Sequence, residues 1–152
     1  DQLKAGQLSW NNETMGSGVE TIDKDHMMLF ESLNELFDDS GVDQLKGEMA
    51  GKFEKLIELI GVHLERERKM VEVSGYPRLS RLKKLHQFQK KQADRKFGEY
   101  KNGQITQLQF YGFLVDWLMD HVLSIDLQAV PYIQEKGIEV QEALADIPFP
   151  DF

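Results

Sequence analysis

The chain holds four histidines, His26, His63, His86 and His121, and each falls on a separate long apolar stripe. A single imidazole on an apolar face usually finds a hydrogen-bond partner in the core and needs no further account. Four of them, one per stripe, are a different matter, because the stripes offer little else polar to pair with. An unpartnered imidazole in a dry interior costs on the order of 1–3 kcal/mol, and one central metal site relieves all four. Glu67 lies one helical turn after His63 and points the same way. It stands between Ile60 and Met70, where an unpaired carboxylate is costly. A surface ion pair with Arg66, Arg68 or Lys69 is the alternative reading. Asp126 follows His121 by five residues. Five residues turn a helix through about 500°, which leaves Asp126 about 140° off the histidine's face. It needs a reaching side chain or a widened turn to join the others; on spacing alone a solvated surface acid fits equally well.

Imidazole and carboxylate without sulfur suit iron, manganese or zinc. Six donors are too many for one tetrahedral zinc with an open position. They fit two metals bridged by both carboxylates, as in helical bundles whose cores hold metal pairs. A haem held by two of the histidines would leave Glu67 unexplained. The chain has no cysteine. That excludes disulfides, thiolate zinc sites, iron–sulfur clusters, c-type haem attachment and a thiol nucleophile.

Helices must position these side chains, since apolar residues recur with helical rather than strand periodicity. Residues 1–20, with Gly6, Gly16, Gly18 and two asparagines, read as an irregular arm anchored by Trp10. A first helix is expected over about 23–38, with Ile22, His26, Leu29, Phe30, Leu33 and Phe37 inward. Ser40, Gly41 and Val42 break it, and Ser40 with Asp43 resembles a capping arrangement. The second helix covers about 43–73, weakened at Gly51 and Gly61, with Phe53, Leu56, Ile60, His63, Glu67 and Met70 in its stripe. Ser74-Gly75-Tyr76-Pro77 is a turn, and a third helix runs over about 78–100. Leu79, Leu82, His86, Ala93 and Phe97 face inward there, and Lys101-Asn102-Gly103 ends it. Thr106 caps a fourth helix whose stripe is Phe110, Leu114, Trp117, Leu118, His121 and Ile125. Pro131 is expected to kink or stop it, and a short helix over about 132–144 leads to Pro148 and Pro150. The fold class is all-α: an up-down-up-down four-helix bundle over 21–130, preceded by the arm and followed by a helical extension or linker over 131–152.

Composition narrows the function. A chain of 152 residues makes one ordinary domain. Its net charge is 18 − 26 = −8, with no basic run, which argues against nucleic acid and anionic membranes as partners. No apolar run approaches the length of a membrane span and no signal peptide is present, so a cytoplasmic location is expected. The chain opens at Asp1 rather than methionine, as an excised domain would.

The sequence resembles the bacterial hemerythrin family. The resemblance is carried by Trp10, by Gly18-Val19-Glu20-Thr21-Ile22-Asp23-Lys24-Asp25-His26, and by His63-Leu64-Glu65-Arg66-Glu67 with Met70. Tyr76-Pro77, His86-Gln87-Phe88, and Trp117-Leu118-Met119-Asp120-His121-Val122 with Asp126 complete it, in the family's order and spacing. The resemblance implies a four-helix bundle around two non-haem irons with an oxo or hydroxo bridge. It implies that His26 and His63 bind one iron and His86 and His121 the other, with Glu67 and Asp126 bridging; five residues between the last histidine and the aspartate is the family's own spacing. One position departs. Where the family has a histidine four residues before His86, this chain has Leu82, which leaves room for water or a small exogenous anion. The family's dry ligand pocket maps onto Phe30, Ile60, Leu82, Trp117 and Leu118, although plain bundle core accounts for most of these equally well.

The expected function is a di-iron domain that binds O2 or senses redox state, the regulatory module of a larger bacterial signalling protein. The chain itself is expected to be no enzyme. An output domain after residue 152, such as a diguanylate cyclase, would be the partner, and O2, peroxide, azide or nitric oxide the small ligand. The alternatives are a di-iron peroxidase or nitric-oxide-reactive enzyme, and an O2 carrier or store.

Overall fold

The structure, a computed structural model, describes residues 8–40 and 46–150, with the side chains of 37–40, 46 and 47 left aside. Its described regular elements are helical throughout, and no strand occurs among the described residues. They are α1 (Asn12–Met15), α2 (Glu20–Ser40), α3 (Lys46–Ser74), α4 (Leu79–Lys101), α5 (Gln107–Leu123), a 3-10 turn (Leu127–Ala129), α6 (Val130–Glu135) and α7 (Gly137–Leu144). The expected break at Gly41 and Val42, the cap at Asp43, the arm residue Gly6 and the side chains of Phe37 and Ser40 lie outside the described residues.

Local chemistry explains the boundaries. Asn11 Oδ1 accepts from the Glu13 amide (3.0 Å) and starts α1. Gly18 takes a left-handed φ of 88° ahead of α2. Asp23 Oδ1 then accepts from both the amide and the hydroxyl of Ser17 (2.9 Å each), which fixes the arm against the helix start. Gly75 (φ 76°) makes the reversal after α3. At α5 the Thr106 hydroxyl accepts from the Gln109 amide (3.0 Å), while Gln109 Oε1 accepts from the Thr106 amide (2.9 Å).

Two expectations need correction. The fourth long helix ends at Leu123, well before Pro131, and Pro131 sits in the first turn of α6. A proline there loses only an N–H that has no helical partner, so it opens a helix rather than closing one. The single helix expected over 132–144 is two helices, separated where Lys136 leaves helical geometry (φ −101°, ψ 28°).

Each of the four long helices packs on two others: α2 on α3 and α5, and α4 on α3 and α5. Their common core includes Leu33, Phe53, Phe97, Phe110, Leu114 and Leu118. A second apolar cluster unites Ile22 and Met70 with Ala129, Ile133, Val140 and Leu144, so α6 and α7 cover the far end of α3. Gly51, exposed on α3, has open space where a Cβ would stand. Gly51→Ala is therefore expected to stabilise the protein by about 0.5–1 kcal/mol, read as a raised thermal midpoint. Among the described residues no helix is long and apolar enough to cross a membrane.

Candidate metal centre

The helices bring one histidine each to the interior: His26 from α2, His63 from α3, His86 from α4 and His121 from α5. All four are buried, and so is Glu67 of α3. Glu67 Oε2 lies 2.7 Å from His26 Nε2, 2.5 Å from His63 Nε2 and 3.0 Å from His121 Nε2. Its other oxygen, Oε1, stands 3.4 Å from His86 Nε2. The Nε2 atoms of His63 and His121 are 2.9 Å apart.

A metal-binding role fits this donor set. Two imidazole nitrogens at 2.9 Å cannot both carry a proton, so one presents a lone pair to the other. Neutral imidazoles and a carboxylate meeting at one point are the donors that a borderline cation takes. His26, His63, Glu67 and His121 offer one ligand atom each, all within 4.8 Å of one another. The Nδ1 atoms of His26, His63 and His86 are buried without a hydrogen-bond partner, so the polar interactions of these rings are concentrated at Nε2. His63 Nδ1 does come within 3.5 Å of Asp25 Oδ2, an ion-pair distance without hydrogen-bond geometry.

Asp126 stands apart from this cluster. One of its oxygens accepts from the Tyr76 hydroxyl (2.5 Å), and the other caps the 3-10 turn through the Gln128 amide (3.0 Å). The hydrogen bond holds the Tyr76 phenol above its ordinary value, since losing the proton would set a phenolate against a carboxylate. Asp126 nevertheless lines the same cavity, of about 590 Å³, as Glu67, His86, Tyr76 and Leu82. Leu82 thus occupies the wall one turn before His86. The other four residues expected around a ligand pocket, Phe30, Ile60, Trp117 and Leu118, belong to the core shared by the long helices.

The flanking cations are engaged elsewhere. Arg66 pairs with Asp25, while Arg68 and Lys69 pair with Glu72. Glu67 is left to the imidazoles. Burial opposes its charge, but the imidazoles of His121 and His63 outweigh burial and hold its carboxyl well below the usual range. Burial also opposes a charge on His63, yet Glu67 and Asp25 raise it to about 9. His121 follows burial instead and falls to about 4.

These shifts have opposite consequences for stability. The contribution of His63 is fully present below the unfolded value of 6.5 and is lost as pH rises through 9. His121 acts on the acid side: below pH 6.5 the unfolded chain takes up a proton that the folded chain refuses until about pH 4. After metal removal by chelation, the thermal midpoint is expected to peak near pH 6.5 and to fall in both directions.

Gln89 is a supporting residue that sequence reading did not single out. Gln89 Oε1 accepts from His121 Nδ1 (3.1 Å), which orients the His121 ring from the side away from Glu67. Its position three residues after His86 was the available signal. The Gln89 carbonyl oxygen accepts from Trp117 Nε1 (2.9 Å), and the Trp117 ring stacks on His121 at 5.4 Å. Trp10 of the arm lies against Phe30 (5.5 Å) and His26 (6.4 Å).

Comparison with known proteins agrees with this geometry. No curated protein matches the chain in sequence. Among solved structures it is similar to wild-type hemerythrin, with 21% identity and a TM-score of 0.72 over 83% of this chain and 97% of that one. It is similar also to a leucine-to-tyrosine mutant of hemerythrin, with 20% identity and a TM-score of 0.73 over 84% and 98%. At this identity the likeness speaks for the fold. The sequence profile of the hemerythrin HHE cation binding domain matches residues 17–133. The chain therefore belongs to the hemerythrin HHE cation-binding domain family.

Proposed function

We propose that this chain is a non-haem di-iron domain that responds to O2 or to redox state, with its four long helices running up-down-up-down around the metals. The observation that carries the proposal is the convergence of four buried imidazoles, one from each long helix, on the two oxygens of Glu67. In this reading His26 and His63 would hold one iron and His86 and His121 the other, with Glu67 and Asp126 as the carboxylates shared between them and an oxo or hydroxo group completing the centre. When bound, the iron pair supplies a redox couple and open positions for O2, peroxide, azide or nitric oxide. The chain's own residues do the rest. Gln89 orients His121, Tyr76 restrains Asp126, and Trp117 with the core keeps bulk water from the closed side. Leu82 places hydrocarbon where the family has an imidazole. The cavity beside it then gives water or a small anion access to His86 and Glu67.

The domain serves as the regulatory module of a larger bacterial, cytoplasmic signalling protein, and itself performs no turnover. A change at the centre alters the packing of α4 and α5 and is carried by the C-terminal segment to an output domain such as a diguanylate cyclase, as a shift between two populations. The cavity beside Leu82 also favours a second reading, turnover of peroxide or nitric oxide.

Admitting air to the reduced, iron-loaded protein separates these readings. The sensor reading expects a single oxidation, a near-ultraviolet band that shifts with azide, and stoichiometric reaction with peroxide. Sustained peroxide or nitric oxide consumption would favour the enzyme instead. Reversible uptake of O2, released under vacuum, would favour a store.

A further inference from the structure

Arg66, one residue before Glu67 on α3, is shared between the candidate centre and the C-terminal segment. Toward the centre, its Nε donates to Asp25 Oδ2 (2.8 Å) and its Nη2 to Asp25 Oδ1 (3.3 Å). Asp25 is buried, and the same Oδ2 stands 3.5 Å from His63 Nδ1. Toward the C-terminus, Arg66 Nη1 donates to the carbonyl oxygens of Ile147 (2.7 Å) and Leu144 (3.4 Å). The guanidinium also lies 4.9 Å from the centre of the Phe149 ring.

This arrangement uses properties peculiar to arginine. A rigid fork of five donors engages a carboxylate on one edge and carbonyls on the other, which the compact ammonium of lysine cannot do. The last carbonyls of a helix lack helical partners and attract a cation. α7 has no basic residue in its own last turn, so α3 provides the cation across the interface. The chain of contacts is slack at one place. His63 Nδ1 is buried and unpartnered, although a carboxylate lies within ion-pair reach. A cation held at Nε2 strengthens the opposite N–H as a donor, and metal-bound imidazoles habitually donate to a carboxylate.

We propose that Asp25 and Arg66 are positioning residues that couple occupancy of the centre to the ordering of residues 144–149. Loading the centre engages His63 with Asp25, steadies the carboxylate and its Arg66 fork, and tightens the docking of the C-terminal segment. By reciprocity, a docked segment improves metal retention by the same factor. The proposal rests on the metal-centre reading above.

Hydrogen exchange on the full chain, chelated and then loaded anaerobically with iron(II), tests the coupling. The reporters are the amides of Ala145, Asp146 and Ile147, which close the end of α7 onto Gln141, Ala143 and Leu144. The Val140 amide, bonded to the Lys136 carbonyl, is the internal control. Loading is expected to slow the three reporters by about fivefold, the scale of one net hydrogen bond, and to leave Val140 unchanged. Arg66→Gln is expected to exchange the reporters rapidly in both states. Arg66→Lys keeps the charge, folds more readily and is also expected to lose the response. Reporters indifferent to loading in the unsubstituted protein, or an intact response in either variant, would overturn the coupling. A chain that takes up no iron contradicts the metal-centre reading and the coupling together, whereas a loaded chain with an unresponsive C-terminus overturns the coupling alone.

Discussion

Glu67→Gln is expected to abolish iron retention while the helices remain folded. Glu67 is the side chain that all four imidazoles approach, through one oxygen or the other. An amide of the same shape keeps the packing but removes the negative charge that offsets the cations and supplies a bridge between them. Loss of an outer partner of a ligand typically lowers metal affinity by roughly 10–100-fold, and loss of the shared carboxylate should exceed that. Circular dichroism distinguishes this outcome from unfolding. The substitution also alters the chelated protein in a pH-dependent way. Without the Glu67 charge, burial prevails at His63 and draws its pKa down from about 9. The variant should therefore be destabilised, relative to the unsubstituted chain, at pH 6.5 and below, and the difference should shrink as pH rises through 9. Unchanged iron content in Glu67→Gln would mean that the carboxylate is a structural partner of the histidines and no ligand.

Leu82→His is expected to act in the opposite direction. Leu82 precedes His86 by one turn of α4, and both line the cavity with Glu67 and Asp126. An imidazole there adds a donor on the side where the structure has space, and it reduces the room for water or a small anion. Iron loss and oxidation in air should both slow by about tenfold or more, the change that roughly 1.4 kcal/mol of added binding produces. Rates measured by chelator capture and by absorbance would show it. Unchanged rates would mean that Leu82 does not govern reactivity at this centre.

The parts legible in the sequence are those that repeat. Phe53, Leu56, Ile60 and His63 recur at helical spacing, and the same periodicity marks the other long helices. The fourth helix was announced by Thr106, which caps it as expected, while the Gln109 half of the capping box was not foreseen. His26, His63, His86 and His121 stood out because an imidazole on an apolar stripe conflicts with its surroundings. Periodicity identifies an inward face but not whether the space there is filled. Phe30, Ile60, Trp117 and Leu118 are inward and packed, while Leu82 borders a cavity. Contacts between distant segments left no local mark. Tyr76 and Asp126 are 50 residues apart, and Arg66 and Ile147 are 81 apart. Arg66 beside Glu67 looked like a surface partner for it, yet its partner is Asp25. Pro131 was ambiguous for a physical reason: a proline that ends one helix and a proline that begins the next look alike in sequence.

The central claim is that four imidazoles and two carboxylates hold a pair of irons, and Asp126 is its most exposed element, since the structure shows its oxygens bonded to Tyr76 and Gln128. The most direct test is the iron stoichiometry of the purified chain after anaerobic loading, alongside Asp126→Ala. The account predicts two irons per chain, falling to one or fewer in the variant. A single ion per chain, unaffected by Asp126→Ala, would contradict it and leave a mononuclear site built on His26, His63, Glu67 and His121.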